Sequence, residues 1–425
     1  MQKMADDDGI FTYIKDYVSA INSHNSQKLS DLLLISSNTR EQFDLRSRYW
    51  QNPIANQYFD IYSNSFQDDT LAEKYKEVMI QYFFYLKAAR ENNFDDTLLS
   101  CMKLVIDFCK CAERETNWLL PTLKEVTSEL KNAFHQKILY DKKLGREIST
   151  ELNEKIFDVL QKPFKICLQD KSDIHESKKK SVYYFANILF ETYFKFEKYE
   201  AANNLAKVLK NSLNLPNLNS VIKSDSVTCY YYKGLIECMA NNLTAGHDLL
   251  MESFNNCYYL NKRQQQLTLV YLIPLKIILK NEFPNKQLWL KYPDIKSILY
   301  ELVNSIQHGD IHTFKLNIKK IEKFLLKKHL YSIYLQLISN VQLNLIINIF
   351  KLLKCNPKVS INDFLIGFEL SSQKENFTTQ EVELIIANLI YKNLIKGYIS
   401  HGHLMVVLSK KDPFPMSPSV TGLTI

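Results

Sequence analysis

The stretch FTTQEVELIIANLIYKNLIKGYISHGHLMVVLSKKDPFP, residues 377–415, decides the fold. Thr378 and Glu381 stand three apart as a capping box, and Phe377 and Val382 flank them as a hydrophobic staple, so a helix starts at Thr378. Behind it Val382, Ile385, Ile386, Leu389 and Ile390 repeat at helical spacing, a single apolar stripe suited to packing on a core. Gly397 and Gly402 then interrupt the helix-forming sequence. Ile399 before the turn and the run 405–408 after it have strand character, which puts His401 and Gly402 at a hairpin tip. The same signature occurs one element earlier, where Ser360 and Asp363 predict a second capping box, with Val359 and Phe364 as its staple, opening INDFLIGFEL. Two capped helices followed by a small β-hairpin predict a winged helix.

Working outward, the chain has 425 residues, 46% hydrophobic and 23% charged, enough to bury a substantial core in two structural units. It holds only 9 glycines and 11 prolines. Average usage is about 7% and 5%, so loops are expected to be few and short in an almost wholly helical chain. From residue 10 to residue 213 amphipathic segments of helical period alternate with short polar breaks. Two stretches read as helical hairpins: in one, Ala186 is expected to face Ala201 and Ala202 across a turn near Lys198. In the other, Gly234 is expected to face Ala245 across a turn at Asn241 and Asn242. Small residues at such positions let paired helices approach closely. The fold expected is mainly α, a right-handed, tetratricopeptide-like helical-repeat solenoid running into the winged helix, with a bend at Pro274 on the way.

The eight cysteines form no CxxC pair and no framework spacing. They read as reduced, mostly buried thiols of an intracellular protein. The start MQKMADDDG lacks the basic and apolar regions of a secretory signal, and no uninterrupted apolar run of membrane-spanning length is expected. A protein of nucleus and cytoplasm, away from membranes, follows.

Charge is concentrated. Residues 310–411 carry 14 lysines, no arginine and 7 acidic residues, so this segment holds a net +7, the excess of the whole chain. Lys315, Lys319, Lys320, Lys323 and Lys327 fall on one side of a helix, opposite Phe314, Ile318, Ile321, Phe324 and Leu325. Such a face is either solvated or in contact with phosphate. Lys392, Lys396, Lys410 and Lys411 add to the second reading if they share its side. Lysine neutralises phosphate as a point charge, whereas bidentate reading of guanine favours arginine. Contact with RNA or DNA would therefore be salt-sensitive and weakly sequence-specific. Glu381 and Glu383 near the start of the last helix oppose entry into a major groove, so a protein partner suits the wing better. Tyr391, Tyr398, Ile399, His401, Met405 and Phe414 are the candidate partner-binding residues.

No catalytic residue, metal ligand or cofactor is expected. His401, His403, Ser409 and Asp412 imitate the ligand pattern of zinc isopeptidases, but only the five residues Leu404–Leu408 separate His403 from Ser409. A hairpin would also spread these groups, whereas zinc needs ligands converging at about 2.0–2.3 Å. Cys109 and Cys111, two apart, point to different sides of a helix. Phosphate-cradling glycine loops, GxSxG and HExxH are all missing from the sequence.

The run NKRQQQLTLVYLIPLKIIL, then EVELIIANLIYKNLIKGYISH, then LSKKDPFP resembles the PCI-domain family, in the branch that holds COP9 signalosome subunit twelve and the PCI subunit of the nuclear-pore mRNA-export complex. The resemblance covers residues 226–415. It implies amino-terminal helical repeats over 1–222, a PCI domain over 223–412 (helical part 223–354, winged helix 355–412) and a short tail over 413–425. It further implies a non-catalytic scaffold that pairs with a second PCI-domain protein through winged helices. A small acidic disordered proteasome-lid subunit would bind along the helices. Two functions stay open: association with the COP9 signalosome, in cullin deneddylation and ubiquitin-ligase regulation, together with a nuclear heterodimer in transcription-coupled mRNA processing, or nucleic-acid binding in mRNA export. One departure stands out: Gln342, Leu343, Asn344, Leu345, Ile346 and Ile347 replace an expected basic patch, leaving the Lys315–Lys328 face as the better candidate for nucleic acid.

Overall fold

The structure is a computed structural model that describes residues 2–35, 38–49, 59, 69–146, 149–173, 175–373 and 376–415; residues 416–425 of the expected tail lie outside them. The chain divides into two compact units, Met1–Ser226 and Val227–Ile425.

In the first unit the described helices are α1 (Gln2–Asn22), α2 (Ser26–Leu33), α3 (Arg40–Arg46), α4 (Asp69–Arg90), α5 (Phe94–Arg114), α6 (Leu120–Lys143), α7 (Thr150–Gln169), α8 (Val182–Lys195) and α9 (Tyr199–Asn211). Neighbours in sequence pack on one another, α4 on α5, α5 on α6, α7 on α8 and α8 on α9, as stacked hairpins do. Asparagine serves where a glycine-poor chain must turn: Asn92 adopts φ 53°, and Asn93 then caps α5 by accepting from the Asp95 and Asp96 N–H groups. Tyr13, Tyr17 and Tyr75 are buried, yet each hydroxyl donates, to Leu32 O, Tyr75 O and a Glu115 carboxylate respectively, all at 3.1 Å. Burial pushes these phenols far above their usual range, so they act as neutral donors. Ala186 and Ala202 are fully buried, Ala201 is half-buried, and α8 packs on α9.

The second unit comprises α10 (Lys223–Met239), α11 (Leu243–Asn256), α12 (Lys262–Lys280), α13 (Lys286–Lys291), α14 (Pro293–His308), α15 (Ile311–Lys327), α16 (Tyr331–Gln336), α17 (Ile338–Leu352), β1 (Lys358–Ser360), α18 (Ile361–Ser372), α19 (Thr379–Tyr391), β2 (Gly397–Ser400) and β3 (Met405–Leu408). Between α10 and α11 the small partner of Gly234 is Gly246, one residue from the position expected. A Cβ on Gly246 would sit 2.6 Å from Cys238 Sγ and 3.2 Å from Gly234 O, while Ala245 is exposed. Pro274 lies inside the continuous helix α12, whose end at Asn281 is left-handed, φ 52°.

Asn281 is completely buried and anchors three elements. Its Nδ2 donates to Asn344 Oδ1 at 3.0 Å, and its Oδ1 accepts from Asn340 Nδ2 at 3.2 Å. Asn340 and Asn344 also donate to Ile277 O and Ile306 O, at 2.7 and 3.0 Å. Residues Tyr331–Leu352 are long and apolar enough to cross a membrane, but 67% of that window is buried inside the protein, where its asparagines bind neighbouring helices. It is a core segment. The departure at Gln342–Ile347 lies here, with Asn344 inside the buried network.

The sheet has the order β1-β3-β2, both pairs antiparallel. The hairpin was expected; β1 was not. Three residues after Pro357 are too short to show the alternation by which a strand is recognised, and β1 exists because β3 offers it an edge. Leu408 N–H donating to Pro357 O at 2.7 Å and Ile361 N–H donating to Leu404 O at 2.9 Å extend that pairing.

Candidate partner and nucleic-acid interface

The last helix begins as its residues dictate. Thr378 Oγ1 accepts from Glu381 N–H at 3.3 Å, and the Glu381 carboxylate accepts from Thr378 N–H at 2.7 Å, a complete capping box. Those hydrogen bonds hold the Glu381 carboxyl below its usual range. Phe377 packs on Phe368 with ring centroids 5.5 Å apart, which ties the start of α19 to α18. The cap of α18 is simpler than expected: Ser360 Oγ accepts from Asn362 N–H at 3.3 Å, with no return bond from Asp363.

Strand parity sorts the candidate partner residues. Val359, Val406 and Ile399 occupy one cross-strand row, and Val359 and Val406 are buried, so Ile399 belongs to the inner face and is half-buried. Tyr398 and Met405 alternate to the outer face, with Tyr398 63% exposed and Met405 half-buried. Tyr391, at the end of α19, is 88% exposed, and Leu384 on the same helix is also exposed. Phe414 is the correction in this set. It is buried, with its ring 5.4 Å from that of Phe350, and so fastens the chain after β3 to α17 instead of forming an outer surface. Sequence alone missed this because the contact joins residues far apart in the chain.

The polar groups of the hairpin tip go to separate partners. His401 Nδ1 bonds Glu383 Oε2 at 2.9 Å, His403 Nδ1 bonds Ser400 Oγ at 3.0 Å, and Asp412 takes Lys396 Nζ at 2.7 Å. Among the described residues, no group of three or more His, Cys, Asp or Glu side chains is placed to hold a metal ion. Cys109 and Cys111 are buried, and that burial raises both thiols well above their usual range. Glu383, half-buried against the hairpin, is a structural clamp on it.

The PCI domain family matches residues 318–410. The chain carries a PCI domain at its carboxy-terminus. Its relatives extend the likeness over most of the sequence. The protein CSN12 homolog of Yarrowia lipolytica is 25% identical over 414 residues, covering 95% of this chain and 98% of the relative. PCI domain-containing protein 2 of Danio rerio is 28% identical over 83% of this chain and 87% of its own length. The COP9 signalosome complex subunit 12 of Kluyveromyces lactis is 29% identical over 60% and 66%.

The PCI domain begins within the lysine-bearing helix. Asp310 caps α15 by accepting from Thr313 N–H at 2.9 Å. Phe314 and Ile318 are buried on its inner side; Lys315, Lys319, Lys320, Lys323 and Lys327 are exposed on the other. Lys320 Nζ lies 3.6 Å from Glu301, an exposed pair of small energetic weight. Of the remaining candidates, Lys392, Lys396, Lys410 and Lys411 are exposed; Lys392 donates to Ser339 Oγ at 2.9 Å, and Lys396 is paired with Asp412. Helix α15 is fixed to the winged helix through Ser371 on α18, whose Oγ donates to Gly309 O at 2.7 Å and accepts from Ile311 N–H at 2.9 Å. Sequence reasoning passed over Ser371, since nothing local signals a bond across sixty residues.

Proposed function

We propose that this chain is a non-catalytic PCI scaffold subunit that associates with the COP9 signalosome, and through it with cullin deneddylation and ubiquitin-ligase regulation. Its winged helix pairs with a second PCI-domain protein in the nucleus, in transcription-coupled mRNA processing, and the protein also resides in the cytoplasm. The observation that carries the reading is the exposure of Tyr391 and Tyr398, together with Leu384, on the winged helix. Exposed aromatic side chains flanked by polar groups are what protein interfaces use as anchors. The name of the Kluyveromyces lactis relative supports the choice of complex. A small acidic disordered subunit binding along the helices belongs to the same proposal. Purification of the tagged full chain from cells, followed by identification of bound proteins, tests it: recovery of signalosome subunits and of one PCI-domain protein is expected, and recovery of neither would refute it.

A second reading, nucleic-acid binding as the PCI subunit of a nuclear mRNA-export complex, is favoured by one observation, the exposed lysine row of α15. Contact through lysine predicts binding to RNA that falls steeply with salt and varies little with sequence.

A further inference from the structure

The loop between α11 and α12 carries three consecutive large side chains with little cover: Tyr258 is 63%, Tyr259 67% and Leu260 61% exposed. Three such neighbours on a surface ask for an explanation. The loop is nevertheless ordered by its own backbone, Asn261 N–H donating to Tyr258 O and Lys262 N–H to Leu260 O, each at 2.9 Å. Asn261 Oδ1 then caps α12 by accepting from Gln264 N–H at 3.2 Å. The two tyrosine rings stand 4.9 Å apart at 61°, an edge-to-face aromatic corner that is largely exposed.

Two cations follow this corner along the chain. Lys262 and Arg263 follow at once, both exposed. The Tyr271 hydroxyl on α12 donates to Lys328 O at 2.7 Å, which joins the end of the lysine-bearing helix to the helix that follows this loop. Lys328 is held below the usual lysine range by its burial first, and then by the neighbouring charges of Lys327 and Arg263. The nearest acidic side chain along the chain, Glu252, accepts from Asn256 Nδ2 at 3.2 Å.

Exposed aromatic rings followed at once by lysine and arginine match the chemistry of a single nucleic-acid strand, whose bases stack on the rings while its phosphates meet the cations. A duplex offers no open base face. We propose that Tyr258 and Tyr259 form a base-stacking platform for single-stranded nucleic acid, with Lys262, Arg263 and Lys327 contacting its phosphates. The inference rests on the nucleic-acid reading given above, and adds to the lysine row of α15 a site outside the winged helix where bases are gripped.

The test is fluorescence anisotropy of a labelled, unstructured twenty-nucleotide RNA, its DNA counterpart and a duplex of the same length, with the full chain. Replacing both tyrosines by Ala should weaken single-strand binding about tenfold or more while leaving the salt slope unchanged, and replacing both by Phe should leave binding intact. Lys262→Ala with Arg263→Ala should lower the slope of log K against log salt by about 1.4. If the tyrosine pair has no effect while Lys319, Lys320 and Lys323 changed to Glu abolish binding, the platform is wrong and the lysine row stands. If no variant changes binding, or the wild type binds no strand, the nucleic-acid reading itself falls. Equal binding of duplex and single strand, or loss of a bound protein in place of loss of RNA, would also overturn the platform. Both loop substitutions should leave the melting curve unchanged, since the side chains are exposed.

Discussion

Replacing Gly309 by Ala tests whether the turn between α14 and α15 holds the lysine-bearing helix against the rest of the PCI domain. Gly309 has φ 72°, a left-handed conformation. An L-residue there costs about 1–2 kcal/mol. A Cβ would also lie 2.5 Å from Leu345 N, 2.6 Å from Leu345 Cα and 2.8 Å from Leu345 Cβ, so backbone on α17 must yield by roughly 1 Å. Overpacking of that kind costs about 1–3 kcal/mol, giving a total of about 2–5 kcal/mol. Gly145 supplies the control, because its φ is 68° but nothing lies within 4 Å of its added Cβ. Gly145→Ala should cost only the conformational part, about 1–2 kcal/mol. Urea unfolding of the full chain followed by circular dichroism measures both. With a denaturant slope of about 1–3 kcal/mol per molar, Gly309→Ala should lower the midpoint of its transition by roughly 1–2 M. Equal losses for the two variants, or none for Gly309→Ala, would refute the close contact of this turn with α17.

Three further outcomes follow from the structure. Thr378→Ala should destabilise α19 by about 1 kcal/mol through loss of the capping box, read from the same urea curves. Changing Lys319, Lys320 and Lys323 to Glu should weaken RNA binding by the assembled complex without dissociating it, as seen by gel-shift and size-exclusion; unchanged binding in low salt would remove the lysine row from consideration. Asp170 is partly buried, which opposes its charge, but hydrogen bonds from Lys178 N–H and the Ser172 and Ser177 hydroxyls outweigh this and hold the carboxyl below its usual range. Because its folded-state pKa is depressed, its contribution is present at neutral pH and lost as the pH falls below the ordinary aspartate range. Asp170→Asn should therefore destabilise the first unit at pH 7 and make little difference near pH 2 in thermal melts at the two values.

Local chemistry made the winged helix legible. Thr378 and Glu381 act within one helical turn, and their bonds form as sequence spacing required, whereas Phe377 packs on Phe368 of the preceding helix. Gly402 and the β-prone run after it placed the hairpin for the same reason. Long-range pairing was not legible: β1 depends on an edge offered from forty-five residues away, and Phe414 is buried by Phe350. The Gly234 partner slipped by one residue because the turn at Asn241 and Asn242 sets helix register, which spacing alone resolves only to a neighbouring position. At the interface, periodicity of two would have separated outward Tyr398 from inward Ile399, had the buried row through Val359 and Val406 been visible in advance.

The central claim is that the outer face of the winged helix is a docking surface. Tyr391→Asp with Tyr398→Asp, introduced into the tagged full chain, tests it most directly, because both side chains are exposed and their loss leaves the core intact. Purified from cells beside the wild type and compared by quantitative mass spectrometry, the variant should keep its helical spectrum and lose the second PCI-domain protein. Recovery of that partner at wild-type yield by a folded variant would contradict the account.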